Sequence, residues 1–176
     1  MGDLVAVWEI ALGAGVHKVE FEHGTISGKR VIRVDGKEVF RRDWMFKLVG
    51  YETFEIGKAK CVIYIEAASG FYYAYGLEVN GKSYKKFTEN QSKIMRTWYC
   101  AVQEKQFRVV LEKDTLDVWV NGQKMDTIDE FVDDGTEMHF EINGQEAYIK
   151  AVSSGSRKEG LIHTLIFNGS EVPESV

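Results

Sequence analysis

Two short stretches decide the fold of this chain: VIRVDGKEV at residues 31–39 and DVWVNGQKM at residues 117–125. Asp-Gly and Asn-Gly stand at their centres, and these dipeptides suit type I′ turns because both central residues need positive φ. Each stretch therefore predicts a strand, a two-residue turn and a second strand. The second copy lies 86 positions after the first, so the same hairpin pattern occurs twice in the chain.

The surrounding sequence alternates with a period of two. Phe107, Val109 and Leu111 alternate with Arg108, Val110 and Glu112, and a second run of the same kind covers residues 138–142. Such alternation places one set of side chains on the core face of a sheet and the other set in solvent. No long apolar stripe with a 3.6-residue period appears, so the pattern predicts an all-β chain of antiparallel strands.

The repeat extends well beyond the two hairpins. Five landmarks recur in the same order at offsets of 85 to 90 residues: Trp8 and Trp98, Asp35-Gly36 and Asn121-Gly122, Phe54 and Phe140, Ser69-Gly70 and Ser154-Gly155, and Asn80-Gly81 and Asn168-Gly169. We therefore predict two tandem β-sandwich lobes, at residues 1–82 and 97–176, joined by a polar linker at 83–96. Each lobe has seven or eight short strand signals, enough for a two-sheet sandwich. The core is expected to hold all four tryptophans, Trp8, Trp44, Trp98 and Trp119.

Charge and composition exclude several classes of protein. The 176 residues are 44% apolar and 28% charged, as in soluble globular domains. Residues 91–176 carry nine basic and 15 acidic side chains, and neither half has the clustered basic face that nucleic-acid binding needs. No apolar run is long enough to insert into a membrane. The beginning, MGDLVAVWEI, is unlike a secretory signal, so we expect a cytoplasmic protein in which Cys61 and Cys100 are free thiols, the alternative being a disulfide between them.

Two motifs resemble ligand loops but fit them poorly. HGTISGKR, residues 23–30, has only three residues between Gly24 and Gly28, and Arg30 stands where a phosphate loop needs Ser or Thr. The acidic stretch DTIDEFVDDGTE, residues 126–137, places Val132 where a calcium loop needs an oxygen ligand. A hairpin connection and a solvated acidic turn are the favoured interpretations.

No catalytic, metal-binding or cofactor-binding residues are predicted. The four histidines have no metal-like spacing, and neither Ser69 nor Ser154 lies in a nucleophile elbow. A hydrolase whose site assembles only in space is the least favoured hypothesis.

Five residues are predicted to contact a partner. Arg157 and Lys158 lie at a loop tip, where Arg can grip a carboxylate or a phosphate. Tyr72, Tyr73 and Tyr75 fall on both faces of one strand, so at least one ring should reach the surface and stack on a sugar or a protein. The alternatives are solvated loop charges and tyrosines that belong to the core.

Long segments of the chain resemble one family. DLVAVWEIAL, WMFKLVGYETF, FRVVLEKDTLDVWVNGQ and YIKAVSSGSRKEGLIHTLI are similar to segments of the Fas apoptotic inhibitory molecule family. The resemblance covers nearly the whole chain, is weakest at about residues 84–106, and corresponds to the short form without an N-terminal extension. It implies two β-sandwich lobes and no catalytic residues to carry over.

The resemblance also implies a function. Members oppose death-receptor-triggered apoptosis, support survival and neurite outgrowth, and bind misfolded or ubiquitinated proteins to limit their aggregation under stress. Direct engagement of death receptors belongs to the extension and is not expected here. We therefore expect a non-enzymatic cytosolic regulator that binds apoptosis-signalling proteins or misfolded clients, with no cofactor and an oligomeric state left open. The alternative is a β-sandwich module that binds a carbohydrate or a lipid headgroup.

Overall fold

Antiparallel hairpins build the structure, as the period-two pattern predicts. The computed structural model describes residues 2–70 and 72–175, and the chain forms two compact units. The first unit holds the chain up to Leu12 and then Val16–Gln91. The second unit holds Gly13–Gly15 and the chain from Ser92 onward.

Two four-stranded antiparallel sheets form the first unit. The first sheet has the order β1 (Leu4–Leu12), β2 (Gly15–His23), β3 (Arg30–Val34) and β4 (Lys37–Arg42), and the second has β5 (Gly50–Ile56), β6 (Ala59–Ala67), β7 (Tyr73–Val79) and β8 (Lys82–Ser83). Their inner faces share one buried cluster, in which Phe21 and Ile32 of the first sheet join Phe54 and Ile63 of the second. This unit is a β-sandwich.

The second unit repeats this plan with one added strand. One sheet contains β9 (Met95–Val102), β10 (Lys105–Glu112), β11 (Asp117–Val120) and β12 (Gln123–Met125), and the other contains β13 (Ile128–Val132), β14 (Gly135–Ile142), β15 (Gln145–Ser153), β16 (Leu161–Phe167) and β17 (Ser170–Val172). Trp98 and Leu111 of the first sheet share a buried cluster with Phe140 and Ile149 of the second. The all-β fold of internally repeated antiparallel sandwiches is confirmed.

The turns have the geometry that their sequences predict. Val34 pairs with Lys37 and Val120 pairs with Gln123, so each hairpin has a two-residue turn. Asp35 and Gly36 have φ of 54° and 79°, the positive values of a type I′ turn. The five landmarks of the repeat lie at equivalent places in the two units when β5 is matched to β14, which leaves β13 as the addition.

Helix α1, which spans Tyr84–Ile94, was not predicted. It occupies most of the polar segment that was expected to be a linker. Phe87 is buried in the core of the first unit, and the Ser83 hydroxyl accepts a hydrogen bond of 3.3 Å from the Lys86 amide at the helix start. The Tyr84 hydroxyl and the Gln91 amide donate to backbone carbonyls of β1, so the helix covers an edge strand. No described helix is long and apolar enough to cross a bilayer.

Two of the four tryptophans are not in a core, so the expectation is wrong for Trp44 and Trp119. Trp98 is fully buried and Trp8 packs against the first core, whereas Trp44 is 63% exposed. Trp119 is partly buried but lies on the face of β11 opposite to the buried Val118 and Val120. The expectation for Trp44 was wrong because the segment that carries it is a connection between strands and not a strand. Cys61 and Cys100 are free and buried, as expected.

Candidate functional site

An exposed apolar surface lies on two connections of the first unit. Ile26 belongs to the β2–β3 connection, and Trp44 and Phe46 belong to the β4–β5 connection. Their exposures are 98%, 63% and 90%, and the two aromatic rings lie 6.3 Å apart between centroids at an angle of 60°. We call these three residues the loop patch. Large exposed apolar groups that lie together are typical of protein-binding surfaces.

The two connections contact each other through their backbones. The Met45 amide donates a hydrogen bond of 3.0 Å to the Ser27 carbonyl. Gly28 has φ of 74°, and a Cβ atom at Gly28 would lie only 2.2 Å from the Met45 carbonyl oxygen. Glycine is therefore needed here for its conformation and for the close approach. HGTISGKR is a connection that leads directly into strand β3, so its interpretation as a hairpin connection is confirmed.

A buried arginine anchors the longer connection. The Arg30 side chain is 2% exposed and donates hydrogen bonds of 3.0 Å to the Lys47 carbonyl and 2.8 Å to the Val49 carbonyl. It also forms an ion pair of 2.8 Å with the half-buried Glu52 carboxylate. A buried guanidinium is costly unless it is paired and hydrogen-bonded. Here it supplies partners for two carbonyls of a segment that has no strand ladder.

The predicted tyrosines divide between the core and the surface. Tyr75 forms a hydrogen bond of 2.7 Å with Nδ1 of the buried His23, and the Tyr73 ring packs edge-on against the same imidazole. Burial, and then the charge of Arg30, lowers the pKa of His23 below its usual range. Tyr72 is 77% exposed, so the expectation that at least one of these rings reaches the surface is confirmed. Their contact with a partner stays a prediction.

The second unit exposes apolar side chains at the equivalent connection. Between β12 and β14 the chain forms β13, where Ile128 is 77% exposed and Phe131 is 89% exposed. We call these two residues, which lie on opposite faces of β13, the strand patch. β13 pairs with β14, and no other described strand pairs with it. The acidic stretch thus forms an edge strand and a turn, where the sequence predicted only a turn. An open edge is a template for another strand.

His139 and glutamates from neighbouring strands form a cluster that sequence spacing did not reveal. His139 Nε2 lies 3.3 Å from a Glu130 oxygen and 3.1 Å from a Glu137 oxygen, and Nδ1 lies 3.7 Å from a Glu146 oxygen. The ligand atoms of His139, Glu130 and Glu137 all lie within 4.8 Å of one another, close enough to hold a metal ion. Spacing along the chain relates residues within one element, whereas these partners meet across strands β13, β14 and β15.

The two predicted basic loop residues are neighbours on one connection, and Lys158 lines a cavity. Arg157 and Lys158 are both exposed on the β15–β16 connection. Lys158 lines a cavity of about 580 Å³ in the second unit, together with Lys113 and His163, and Arg157 is not among the residues that line it. Their role in binding a partner stays a prediction.

Known proteins are similar to this chain over its full length. The family model described as Fas apoptotic inhibitory molecule (FAIM1) matches residues 4–175. The chain is 65% identical to Fas apoptotic inhibitory molecule 1 of Bos taurus over 178 residues, which cover 100% of this chain and 89% of that protein. It is 64% identical to the protein of the same name from Mus musculus and 62% identical to that from Homo sapiens, with 99% of this chain and 98% of the relative covered in both cases.

Proposed function

This chain belongs to the Fas apoptotic inhibitory molecule family, and we propose that it is a cytoplasmic, non-enzymatic inhibitor of apoptosis that acts by binding other proteins. Its relatives are named as apoptotic inhibitory molecules and not as enzymes. The partners that we propose are apoptosis-signalling proteins and misfolded or ubiquitinated clients, whose aggregation the chain limits under stress.

One observation carries this proposal: both units expose large apolar side chains at the same connection. Trp44 and Phe46 lie between β4 and β5, and Ile128 and Phe131 lie between β12 and β14. Burying one such side chain is worth roughly 1.5–3 kcal/mol. A misfolded client exposes apolar side chains and unpaired backbone groups, so it can cover these residues and gain this free energy.

The two patches suit different features of a client. The loop patch offers aromatic rings, which give large contact areas with few rotatable bonds. The strand patch lies on an open edge, where an extended client segment can add as a further strand and form backbone hydrogen bonds. We propose that the lobes predicted at residues 1–82 and 97–176 each supply one contact. Two weak contacts on one chain raise the effective concentration of the second.

Client aggregation tests the proposal directly. Light scattering from a heat-aggregating client is measured with the wild-type chain and with a variant that combines Trp44→Ser, Phe46→Ser, Ile128→Ser and Phe131→Ser. We expect the wild-type chain to suppress aggregation and the fourfold variant to lose most of that suppression, because the apolar contacts are gone.

A matched control removes exposed apolar groups elsewhere. Val16 and Val39 are also exposed but lie outside both patches, so a Val16→Ser/Val39→Ser variant should suppress aggregation as the wild type does. Equal suppression by the fourfold variant would contradict the proposal. Death-receptor-stimulated cells that express each variant provide the second readout, in which the fourfold variant should protect fewer cells.

A further inference from the structure

A basic cavity lies in the otherwise acidic second unit. Its walls include Lys93 at the end of α1, Arg96 on β9, Lys113 after β10 and Lys158 on the β15–β16 connection. Residues 91–176 have only nine basic side chains against 15 acidic ones. Four of the nine therefore line one cavity of about 580 Å³. Most scattered lysines are simply solvated, so this concentration needs a physical account.

The charge of the cavity is only partly neutralised by the protein. Arg96 Nε lies 3.4 Å from a Glu174 oxygen, and Arg96 Nη1 donates to the Ser92 and Met95 carbonyls. Among the described residues, neither Lys113 nor Lys158 forms an ion pair. Four basic and two acidic side chains, Glu159 and Glu174, line the cavity, which gives it a formal charge of +2. This charge is close to the opposite of that of a phosphate monoester at neutral pH.

One residue of the cavity wall is a histidine with a buried ring nitrogen. His163, on β16, lines the wall, and its Nδ1 is buried and has no hydrogen-bond partner among the described residues. Buried polar atoms are nearly always hydrogen-bonded. Burial, and then the charges of Lys113 and Arg96, lowers the pKa of His163. A phosphate bound in the cavity would offset both of these charges.

The rest of the wall consists of Ser92 and two apolar residues. Leu161 and Ile162, on the same strand as His163, line the cavity and are about half exposed. Ligand cavities of about 300–1,000 Å³ combine an apolar lining with a few polar groups that fix orientation. We propose that this cavity binds an organic phosphate monoester, with the phosphate held by Lys113, Lys158 and His163 and the apolar part packed on Leu161 and Ile162.

Phenyl phosphate is the probe of choice, because it joins the proposed phosphate to an apolar ring. Amide and imidazole signals are followed by NMR while phenyl phosphate, inorganic phosphate or phenol is added at constant ionic strength. We expect saturable shifts at Lys113, Leu161, Ile162 and His163 with phenyl phosphate. Its Kd should be several-fold lower than that of inorganic phosphate, and phenol should cause no saturable shift.

Substitutions distinguish a specific binding site from general electrostatic attraction of the phosphate to the surface. Lys113→Met and Lys158→Met should each raise the Kd for phenyl phosphate about tenfold or more, since each removes a charge-assisted hydrogen bond. Lys105→Met is the matched control, because Lys105 begins β10, whereas Lys113 follows its end. It should leave the Kd unchanged. Lys158 lies on an exposed loop, so its variant keeps the test valid if Lys113→Met impairs folding.

Two results would overturn the proposal. One is a set of NMR shifts that do not saturate and are spread over the surface. The other is an equal Kd for the wild type and Lys158→Met.

A phosphotyrosine peptide distinguishes the two sources of such a ligand, a phosphorylated side chain and a free small molecule. Tighter binding of the peptide than of phenyl phosphate assigns the site to a phosphorylated side chain, and equal or weaker binding assigns it to a free small molecule. Either result supports the site.

Discussion

The β4–β5 connection of the first unit and strand β13 of the second unit satisfy their backbone hydrogen bonds in different ways. Both join the two sheets of a sandwich at the same place in the repeat, and both expose large apolar side chains. In the second unit the connection satisfies its backbone by pairing with β14. In the first unit it forms no strand, and the buried Arg30 binds two of its carbonyls.

The difference teaches that a buried side chain can take the place of a backbone ladder. An arginine has five N–H donors in a rigid planar group, so one residue can bind two carbonyls of an irregular segment and a carboxylate on the strand that follows it. The position equivalent to Arg30, 86 residues later, is Leu116, which has no donor in its side chain. The second unit therefore depends on the edge strand β13, which covers β14, whereas the matching strand β5 is itself the edge of its sheet in the first unit.

Removal of the Arg30 side chain should cause the largest difference in stability between the two units. Arg30→Met leaves the Glu52 carboxylate and two carbonyls without their partner, so the free energy of unfolding of the first unit should fall by about 3–5 kcal/mol. Urea unfolding, followed by NMR at the Trp8 and Trp98 indoles, reports on the two units separately. The midpoint at Trp98 should not move. An Arg30→Met/Glu52→Met variant should recover part of the loss, and a loss no greater than that of the double variant would contradict the anchoring role.

Gly28 tests the contact between the two loops, and Gly36 provides the matched control. Both glycines have positive φ, 74° and 79°, but only Gly28 has an atom within 4 Å of the position of an added Cβ. Alanine at either position costs about 1–2 kcal/mol for its conformation. Gly28→Ala should cost about 1–3 kcal/mol more, because the Met45 carbonyl must move. The same NMR-detected unfolding measures both variants, and equal losses would show that the loops do not constrain each other.

Lowering the pH should reduce the free energy of unfolding of the first unit because of His23. Its folded pKa lies below the ordinary value of 6.5, so the unfolded chain binds more protons as the pH falls below 6.5. Its contribution to stability is complete above this pH and is lost progressively as the pH falls toward the folded pKa. His23→Gln should flatten the dependence between pH 7.5 and 5.5 at the Trp8 indole. The dependence at Trp98 should persist, because the pKa of His163 in the second unit is also lowered.

The smallest expected change in stability is at the patches themselves. Phe46→Ser and Phe131→Ser should each change the free energy of unfolding by less than about 0.5 kcal/mol, because exposed side chains lose little on truncation. A large loss at either position would mean that the ring supports its own unit, and not a partner. Thermal unfolding of the two single variants beside the wild type measures this.

The sequence predicted the repeated sandwich because its signals are local. A period of two and an Asn-Gly turn, such as Asn121-Gly122, are readable from neighbouring residues. Helix α1 was not predicted because a short helix needs few apolar residues. Phe87 is its buried residue. Trp44 was misassigned because WMFKLVG suits a strand, while the decisive contacts come from Arg30, a residue of another element.

The candidate sites depend on neighbours that sequence spacing does not reveal. The cluster at His139 joins three adjacent strands, and its members become visible only when the register pairs Glu130 with Glu137. The basic cavity joins Arg96, Lys113 and Lys158, which are separated by 17 and 45 positions along the chain. The sequence indicated only Lys158, as a charge at a loop tip. Cross-strand and inter-sheet contacts of this kind can be inferred only when the register of the strands is known.

Every sheet of the molecule joins strands that are neighbours along the chain. Contacts between such strands close short loops, so their entropic cost of formation is low for a β-protein. Low contact order favours rapid folding. Domains emerge from the ribosome at about 5–20 residues per second and tend to fold in order of synthesis. The first unit can therefore complete its hairpins while the second is still being made, which shortens the time that a protein rich in edge strands spends unprotected.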